Sequence, residues 1–382
     1  MLKTKNYILF ILFVVFSSCQ MGEWHYVDFT NISSTQTGMF RVIKQQTTDL
    51  QQLTQDPNQL ALWGISTPSD TISDIRQPQR ASSITINHAV QQLLDFTSIS
   101  SAIELSGIYE SVDLDGNPIT LSGKVILPAK QPIKRYILVS HYTIASDAEA
   151  PSNIFPLEGL LVKLGYALII PDYLGYGVTA DHIHPYLVMD ITARNVLDMY
   201  YAVLPFMKAA GCEPEHDDIY LMGYSQGGAT TMAVQHLIEH HEIDDIKIRR
   251  VFAGGGPYDV KATYDRFVET NYASYPCAVP IMMQGVIVGN KLDVDMQSLM
   301  APYIYDNLNE WVNSKRYTTS QINQLIGTNV TSDLLSAKGM DRTSKEVSEL
   351  YKAMVDNSIL TYSWIPKAPV FIMHSIDDDV VP

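Results

Sequence analysis

The sequence predicts an α/β protein built on a mostly parallel sheet with helices on both faces. Three short apolar runs, RYILVSH (135–141), YALIIPD (166–172) and DIYLMGY (218–224), are typical of strands that are buried on both faces. Helical patterns separate these runs, and an apolar stripe at helical spacing passes through 193–204. Because strands and helices alternate along the chain, a parallel sheet is the expected arrangement.

The first nineteen residues differ from the rest and predict an export signal. Lys3 and Lys5 precede an apolar run over 7–16, which is too short to span a bilayer but suits a signal core. Two serines then lead into Cys19, which resembles a bacterial lipoprotein signal. The resemblance implies an exported protein that is lipid-anchored through Cys19 to a bacterial membrane, at the periplasmic face or the cell surface. An ordinary signal peptide or an uncleaved anchor is the alternative.

The charge and the cysteines exclude several classes of partner. The net charge is −15, from 41 acidic and 26 basic residues, so the protein repels phosphate backbones and nucleic acid is not an expected partner. Besides Cys19, only Cys212 and Cys277 are present, and they form no zinc or redox pattern. We expect no metal and no cofactor. Outside the cytoplasm the two cysteines could pair, or they could remain two buried thiols.

The elements follow in order along the chain. Residues 20–103 are rich in Gln, Thr and Ser and predict a tether and extension with one helix near its end. From Glu104 two β-rich runs flank DGNP, a hairpin signal, and the α/β core is expected over 104–256 and 367–382. Residues 257–366 hold helical patterns over 261–268, 279–288, 295–312 and 344–355 without a convincing strand, so they predict a helical cap inserted over one end of the sheet.

The sharpest motif is GYSQG, which spans 223–227 and fits G-x-S-x-G between a predicted strand and a predicted helix. A serine in a strained turn needs neighbours without Cβ two residues away, which Gly223 and Gly227 provide. Such a turn exposes the Ser225 hydroxyl as a nucleophile and directs the amide of Gln226 at a substrate carbonyl. The flanking strand and helix argue against the alternative, a glycine-rich turn with an ordinary serine.

A second stretch, VSHYTIAS, ends the first buried strand. Enzymes with a nucleophile elbow keep a loop at this place that donates another backbone amide to the oxyanion. We expect this amide from Tyr142, with Thr143 as the rival. His141 is expected to shape the loop by hydrogen bonding rather than to carry a proton. His184 is expected to be structural, and the glycine-rich PDYLGYG loop to form the floor of the cleft.

These stretches together resemble the α/β-hydrolase superfamily, and within it the secretory lipases and related exported esterases. The resemblance rests on GKVILP, SHYT, PDYLGYG, HPYL, GYSQGG, AGGGPYD and HSIDDDVVP. It covers residue 104 to the end apart from the cap. It implies a serine hydrolase that cleaves carboxylic esters of small molecules or lipids through a Ser-Asp-His triad.

The resemblance also implies the position of the acid. In this family the acid lies in a pattern like G-x-x-D-x-x-V-P, and here Ser375 replaces the glycine. The final Val-Pro fixes the register on Asp378, with Asp377 and Asp379 as neighbours that could be mistaken for it.

The histidine of the triad is missing. The order in this fold is Ser, acid, His, yet all ten histidines precede Asp378. The final strand and helix of the fold are also expected but have no counterpart. We therefore expect a truncated sequence whose general base is encoded beyond Pro382, and a loss of roughly 10⁴-fold to 10⁶-fold in turnover without that base.

Two other functions stay open. An exported serine peptidase of the prolyl-oligopeptidase type shares this elbow, but about a hundred residues before the sheet are too few for a propeller. A catalytically silent lipoprotein of hydrolase fold could bind acylated or glycosylated ligands without cleaving them. The absent histidine favours this last function, and the intact elbow counts against it.

Overall fold

The computed structural model describes residues 38–63, 99–129 and 131–381. The proposed signal with Cys19, and the helix expected near the end of the extension, lie outside these residues. Within the described ranges, no helix combines the length and the apolar character that crossing a bilayer requires. Cys212 and Cys277 are both buried and form no disulfide with each other, so of the two alternatives the structure has two buried thiols.

Eight strands form one sheet in the order β1-β2-β3-β5-β4-β6-β7-β8. The strands β4 to β8 are parallel and β1 to β3 are antiparallel, so the predicted α/β class with a mostly parallel sheet is confirmed. Their bounds are β1 Arg41–Asp49, β2 Ser101–Val112, β3 Pro118–Pro128, β4 Tyr136–Ser140, β5 Ala167–Pro171, β6 Asp218–Tyr224, β7 Lys247–Gly254 and β8 Val370–Met373.

The strand β1 was not predicted, because it falls in the segment expected to be a tether. It lies at the edge of the sheet, pairs with β2, and exposes most of its side chains, so its sequence RVIKQQTTD shows no apolar alternation. Polar contacts connect β1 to the core. The side chains of Gln46 and Thr48 donate hydrogen bonds to the buried carboxylate of Glu104, which also binds Lys124. The strand β2 begins at Ser101, three residues before the start at Glu104 that the sequence predicts.

Both faces of the sheet are covered. The helices outside the insertion are α1 Leu50–Leu53, α2 Pro57–Leu62, α3 Met189–Ala209 and α4 Gln226–His240. On one face α3 and α4 pack against Leu138 and Leu221, and on the other a 3₁₀ helix, Leu157–Leu164, packs against Ile137. Neighbouring residues of β4 thus enter opposite core clusters, as expected for a strand buried on both faces.

Between β7 and β8 the chain forms a helical insertion, residues 257–366. Because β7 and β8 are parallel neighbours, the insertion leaves from the carboxyl end of β7 and the chain returns to the amino end of β8, at the opposite edge of the sheet. Its helices are α5 Val260–Thr270, α6 Ala278–Gly289, α7 Met296–Leu299, α8 Pro302–Leu308, α9 Thr319–Ile326, α10 Thr331–Leu334, α11 Ala337–Met340 and α12 Lys345–Asp356. The continuous helix that the pattern predicts over 295–312 is broken at Met300, which bridges to Leu335. Pro302 then starts α8, and a π turn, Asn309–Asn313, ends it.

Candidate active site

Ser225 lies in the tight turn between β6 and α4. Its φ of 57° and ψ of −126° are strained for a residue with a Cβ. The glycines of the motif are required by contact: a Cβ on Gly223 would lie 2.2 Å from Gly227 O, and one on Gly227 would lie 2.0 Å from Ser140 O. A Cβ on Gly228 would lie 2.5 Å from Gly254 O, where α4 approaches β7. The turn therefore has the geometry of a nucleophile elbow.

The Ser225 side chain borders a narrow, mostly apolar cavity of about 20 Å³. The other residues that line it are Tyr186, Leu187, Pro257, Thr263, Phe267, Tyr275, Ala278, Met282, Val380 and Val381. Six of these ten belong to the helical insertion. The insertion is therefore the wall that faces Ser225 across the cavity.

Gln226 is the first residue of α4, and the first amides of a helix have no partner within it. Its side chain is buried and held by a hydrogen bond of 2.6 Å to Nε2 of His184. The other ring nitrogen of His184 lies 2.8 Å from Leu174 O, so a neutral ring donates there and accepts from Gln226. Burial lowers the pKa of His184 to about 3. His184 thus has the arrangement of a structural histidine that orients Gln226.

The loop that carries Tyr142 begins where β4 ends, directly beside the elbow. Ser140 pairs in register with Gly223, and the carbonyl oxygens of Ser140 and His141 pack against Gly227. His141 is buried, with its ring nitrogens 2.7 Å from Tyr142 O and 3.1 Å from Asp172 O. Burial lowers the pKa of His141 to about 4. The ring therefore joins two loops and has the arrangement expected of a residue that shapes the oxyanion segment.

The PDYLGYG loop lies beneath this segment. Asp172 is fully buried; its carboxylate accepts from Ser122 Oγ at 2.6 Å and from the amide of Ser152 at 2.8 Å. Tyr173 stacks on His141 at 4.0 Å, and the Tyr176 hydroxyl donates to Ile144 O at 2.6 Å. These contacts place the loop against the segment that carries Tyr142, and no residue of the loop lines the cavity beside Ser225, so its role as a floor stays a prediction.

Asp378 lies in the turn that follows β8. Its Oδ1 accepts from the amides of Val380 and Val381, both at 3.0 Å, and these two valines line the cavity beside Ser225. Asp377 and Asp379 are exposed, whereas Asp378 is largely buried. Of the three neighbouring acids, Asp378 is therefore the one held by the wall of the cavity.

No histidine is hydrogen-bonded to the Ser225 hydroxyl in the part of the chain that the structure describes. His374 is close to Asp378, with its Nε2 3.8 Å from Oδ2, but that nitrogen also lies 3.0 Å from Val381 O. Two histidines of the described residues are buried: His141 is held by two backbone carbonyls, and His184 by Leu174 O and the side chain of Gln226. The structure thus brings Ser225 and the turn of Asp378 to one cavity, with Gln226 beside Ser225 at the start of α4, and no histidine of the described residues lines that cavity.

Sequence reasoning missed the cavity wall contributed by Leu187. This bulky residue has a φ of 61°, a left-handed conformation that glycine or asparagine usually adopts. Nothing in HPYLVM indicates such a turn, because the strain is imposed by tertiary packing. A Cβ on Gly285 of α6 would lie 2.4 Å from Tyr186 N, so α6 is packed directly on the segment that carries Leu187.

Comparison with solved structures supports the fold. A rice cell wall degrading esterase, LipA from Xanthomonas oryzae, matches with 18% identity and a TM-score of 0.66, over 77% of this chain and 81% of that one. A protein from Legionella pneumophila matches with 18% identity and a TM-score of 0.69, over 89% and 85%. Lipase A from Candida antarctica matches with 17% identity and a TM-score of 0.56, over 76% and 68%. The predicted α/β-hydrolase fold is therefore confirmed.

A search among curated proteins found no significant match. The family model described as secretory lipase matches residues 148–382, well over half of the chain, and this range contains both the elbow and Asp378. The chain belongs to the secretory lipase family.

Proposed function

We propose that the protein is a serine hydrolase that cleaves carboxylic esters, with Ser225 as the nucleophile. The observation that carries the proposal is the strained serine at the start of α4, facing a cavity beside the unpaired amides of that helix. Family membership supports ester hydrolysis in general. The roles of individual residues are our proposal.

In the proposed reaction, Ser225 Oγ attacks the ester carbonyl carbon, and its proton passes to a histidine. The carbonyl oxygen becomes negative and is stabilised by the amides of Gln226 and Tyr142. The intermediate collapses as the alcohol leaves with the proton. Water, deprotonated by the same histidine, then releases the acid from Ser225.

We propose that this histidine is encoded beyond Pro382 and that Asp378 orients it. The support is that the two oxygens of the Asp378 carboxylate have different contacts. Oδ1 is occupied by two amides, which fix the group, while the one contact that the described residues make with Oδ2 is the long one of 3.8 Å to His374. A neutral imidazole that donates to Oδ2 would present its other nitrogen as a base.

The helical insertion is proposed to act as a cap that limits the acyl group. A cavity of about 20 Å³ has room for little more than a methyl group or one water molecule. Short-chain esters are therefore the appropriate first substrates. Longer chains would need the cap to move.

The test is hydrolysis of nitrophenyl acetate by the product of the complete natural reading frame. Ser225→Ala should reduce turnover by about 10⁴-fold or more, whereas Ser332→Ala, at an exposed position in the insertion, should leave it unchanged. The protein that ends at Pro382 should be nearly inactive in the same assay. Brisk turnover by that shorter protein would contradict the proposed base, and preferential cleavage of dipeptide amides would favour the peptidase alternative.

We also propose that the protein is exported and lipid-anchored through Cys19. The support is the family and the pattern of the first nineteen residues. Cells grown with an alkyne-labelled fatty acid should yield labelled protein, and Cys19→Ser should abolish the label. Export without any label would leave an ordinary signal peptide as the explanation.

A further inference from the structure

Lys315 is a buried cation that the proposed reaction does not use. It follows the π turn of the helical insertion, adopts a φ of 58°, and has only 6% of its surface exposed. Its Nζ lies 4.7 Å above the centre of the Tyr176 ring. No carboxylate of the described residues lies within ion-pair distance of this nitrogen, which is unusual for a buried lysine.

The backbone of Lys315 fixes it to the segment that follows Tyr142. Its carbonyl oxygen accepts from the amide of Asp147 at 2.9 Å. The Asp147 carboxylate is directed elsewhere and accepts from the amide of Gly177 at 2.7 Å. The insertion, the oxyanion loop and the PDYLGYG loop therefore meet at Lys315.

Tyr176 connects this ammonium to both proposed oxyanion donors. Its hydroxyl donates to Ile144 O, two residues after Tyr142, at 2.6 Å. Its ring lies 5.0 Å from the ring of His184, and His184 holds the side chain of Gln226. Tyr176 thus contacts the Lys315 ammonium and also, directly or through His184, both segments that are proposed to supply the oxyanion amides.

We propose that Lys315 places a fixed positive charge behind the oxyanion side of the Ser225 site and accelerates the reaction by stabilising the negative carbonyl oxygen. This inference rests on the proposed ester hydrolysis. Lys315 does not touch the reacting atoms, so it is a positioning residue that acts through the field of its ammonium. A fixed charge in a buried, partly polar interior acts more strongly than one in water.

The charge is not explained by stability. Burial lowers the pKa of Lys315 to about 8, against the opposing field of Asp147. The ammonium is therefore held in the fold at a cost at pH 7, because the unfolded chain carries the same charge in water. Asp147 supplies the opposing charge, whereas His184 is uncharged at pH 7 and burial raises the pKa of the Tyr176 hydroxyl well above its usual value.

The deciding variant is Lys315→Met, which keeps the apolar stem and removes the charge. We expect kcat and kcat/KM for nitrophenyl acetate to fall together by about tenfold, with KM unchanged, because the charge acts on the transition state. The melting temperature should stay the same or rise, since a buried unpaired charge is removed. Lys345→Met removes an exposed lysine of the same insertion and should change neither quantity.

The pH dependence gives a second measurement on the same pair of proteins. The wild-type kcat should fall as the pH rises through about 8, where Lys315 loses its proton. The Lys315→Met protein should lack this alkaline limb. Lys315→Arg, which keeps a charge, should recover part of the rate.

The outcomes that would overturn this inference can be told apart from one another. If the wild-type protein hydrolyses no ester, the proposed function fails and this inference fails with it. If the wild-type protein is active and Lys315→Met is equally active with an unchanged pH profile, only the inference is overturned. A variant that loses activity together with a large fall in melting temperature would also overturn it, because a structural role explains that result. If Lys315→Met does not fold, the alkaline limb of the wild-type protein and its absence from Lys315→Arg, whose guanidinium stays protonated, decide the question.

Discussion

At the scale of single residues, the elbow depends on the absence of one methyl group. A Cβ on Gly227 would lie 2.0 Å from Ser140 O, a backbone atom at the end of a central strand that cannot move away. Gly227→Ala should therefore displace the oxyanion loop and abolish ester hydrolysis.

A matched control separates this clash from the ordinary cost of replacing glycine. Gly211 has a φ of 66° with open space around its Cβ position, so Gly211→Ala should cost about 1 kcal/mol of stability and no activity. Turnover and melting temperature measured on both variants check the prediction. An active Gly227→Ala protein would show that the loop is not held as described.

A second prediction at this scale concerns Glu158, a buried residue of the 3₁₀ helix on the far face of the sheet. No described residue hydrogen-bonds its Oε2, and burial raises the pKa of the carboxyl from 4.5 to about 7. Between these values the folded protein binds more protons than the unfolded chain, so stability falls as the pH rises through this window.

Glu158→Gln should remove this dependence because the amide stays neutral. Its stability advantage over the wild type should widen by about 2–3 kcal/mol between pH 5 and pH 8. Urea unfolding of both proteins at the two pH values measures this difference. A constant difference would mean that the carboxyl has a partner when ionised.

At the scale of elements, α6 supplies the test of the cap as an acyl wall. Met282 lines the cavity beside Ser225, whereas its neighbour Met283 is buried against Tyr264. Met282→Ala should raise kcat/KM for nitrophenyl octanoate relative to acetate by about tenfold, since each accommodated methylene contributes about 0.8 kcal/mol.

Met283→Ala is the matched control, because it removes the same side chain from the same helix. It should destabilise the protein by roughly 2–5 kcal/mol and leave the preference for acyl length unchanged. If the two variants shift this preference equally, the cavity is not where the acyl group binds.

The elements also show what the sequence can predict. The strands that are buried on both faces could be predicted because their apolar runs are continuous. The helices α5, α6 and α12 could be predicted because their apolar residues recur at helical spacing. β1 was missed because an exposed edge strand has no apolar period, and its polar tie to Glu104 requires knowledge of the pairing. The break in the helix predicted over 295–312 has a local cause in Pro302, which cannot continue a helix and leaves the preceding residue extended. The bridge of Met300 to Leu335 adds a tertiary constraint.

At the scale of the whole molecule, the sequence motifs could be predicted to form an elbow, but the residues that line the cavity could not be predicted. Ser225 and its glycines could be predicted because backbone sterics at the elbow demand those residue types in that order. Leu187, Tyr186 and Lys315 could not, because their places are set by how the insertion packs on the sheet. Residues that perform chemistry thus leave local patterns, whereas residues that shape and charge the site depend on contacts distant in sequence.

The central claim is that Ser225 is a nucleophile activated for attack on an acyl carbon. The most direct measurement is intact-protein mass spectrometry after treatment of the complete natural reading-frame product with an alkyl fluorophosphonate. The account predicts a single phosphonyl adduct, mapped to Ser225 and absent from Ser225→Ala. No adduct, or an adduct on another serine while Ser225 stays unmodified, would contradict it.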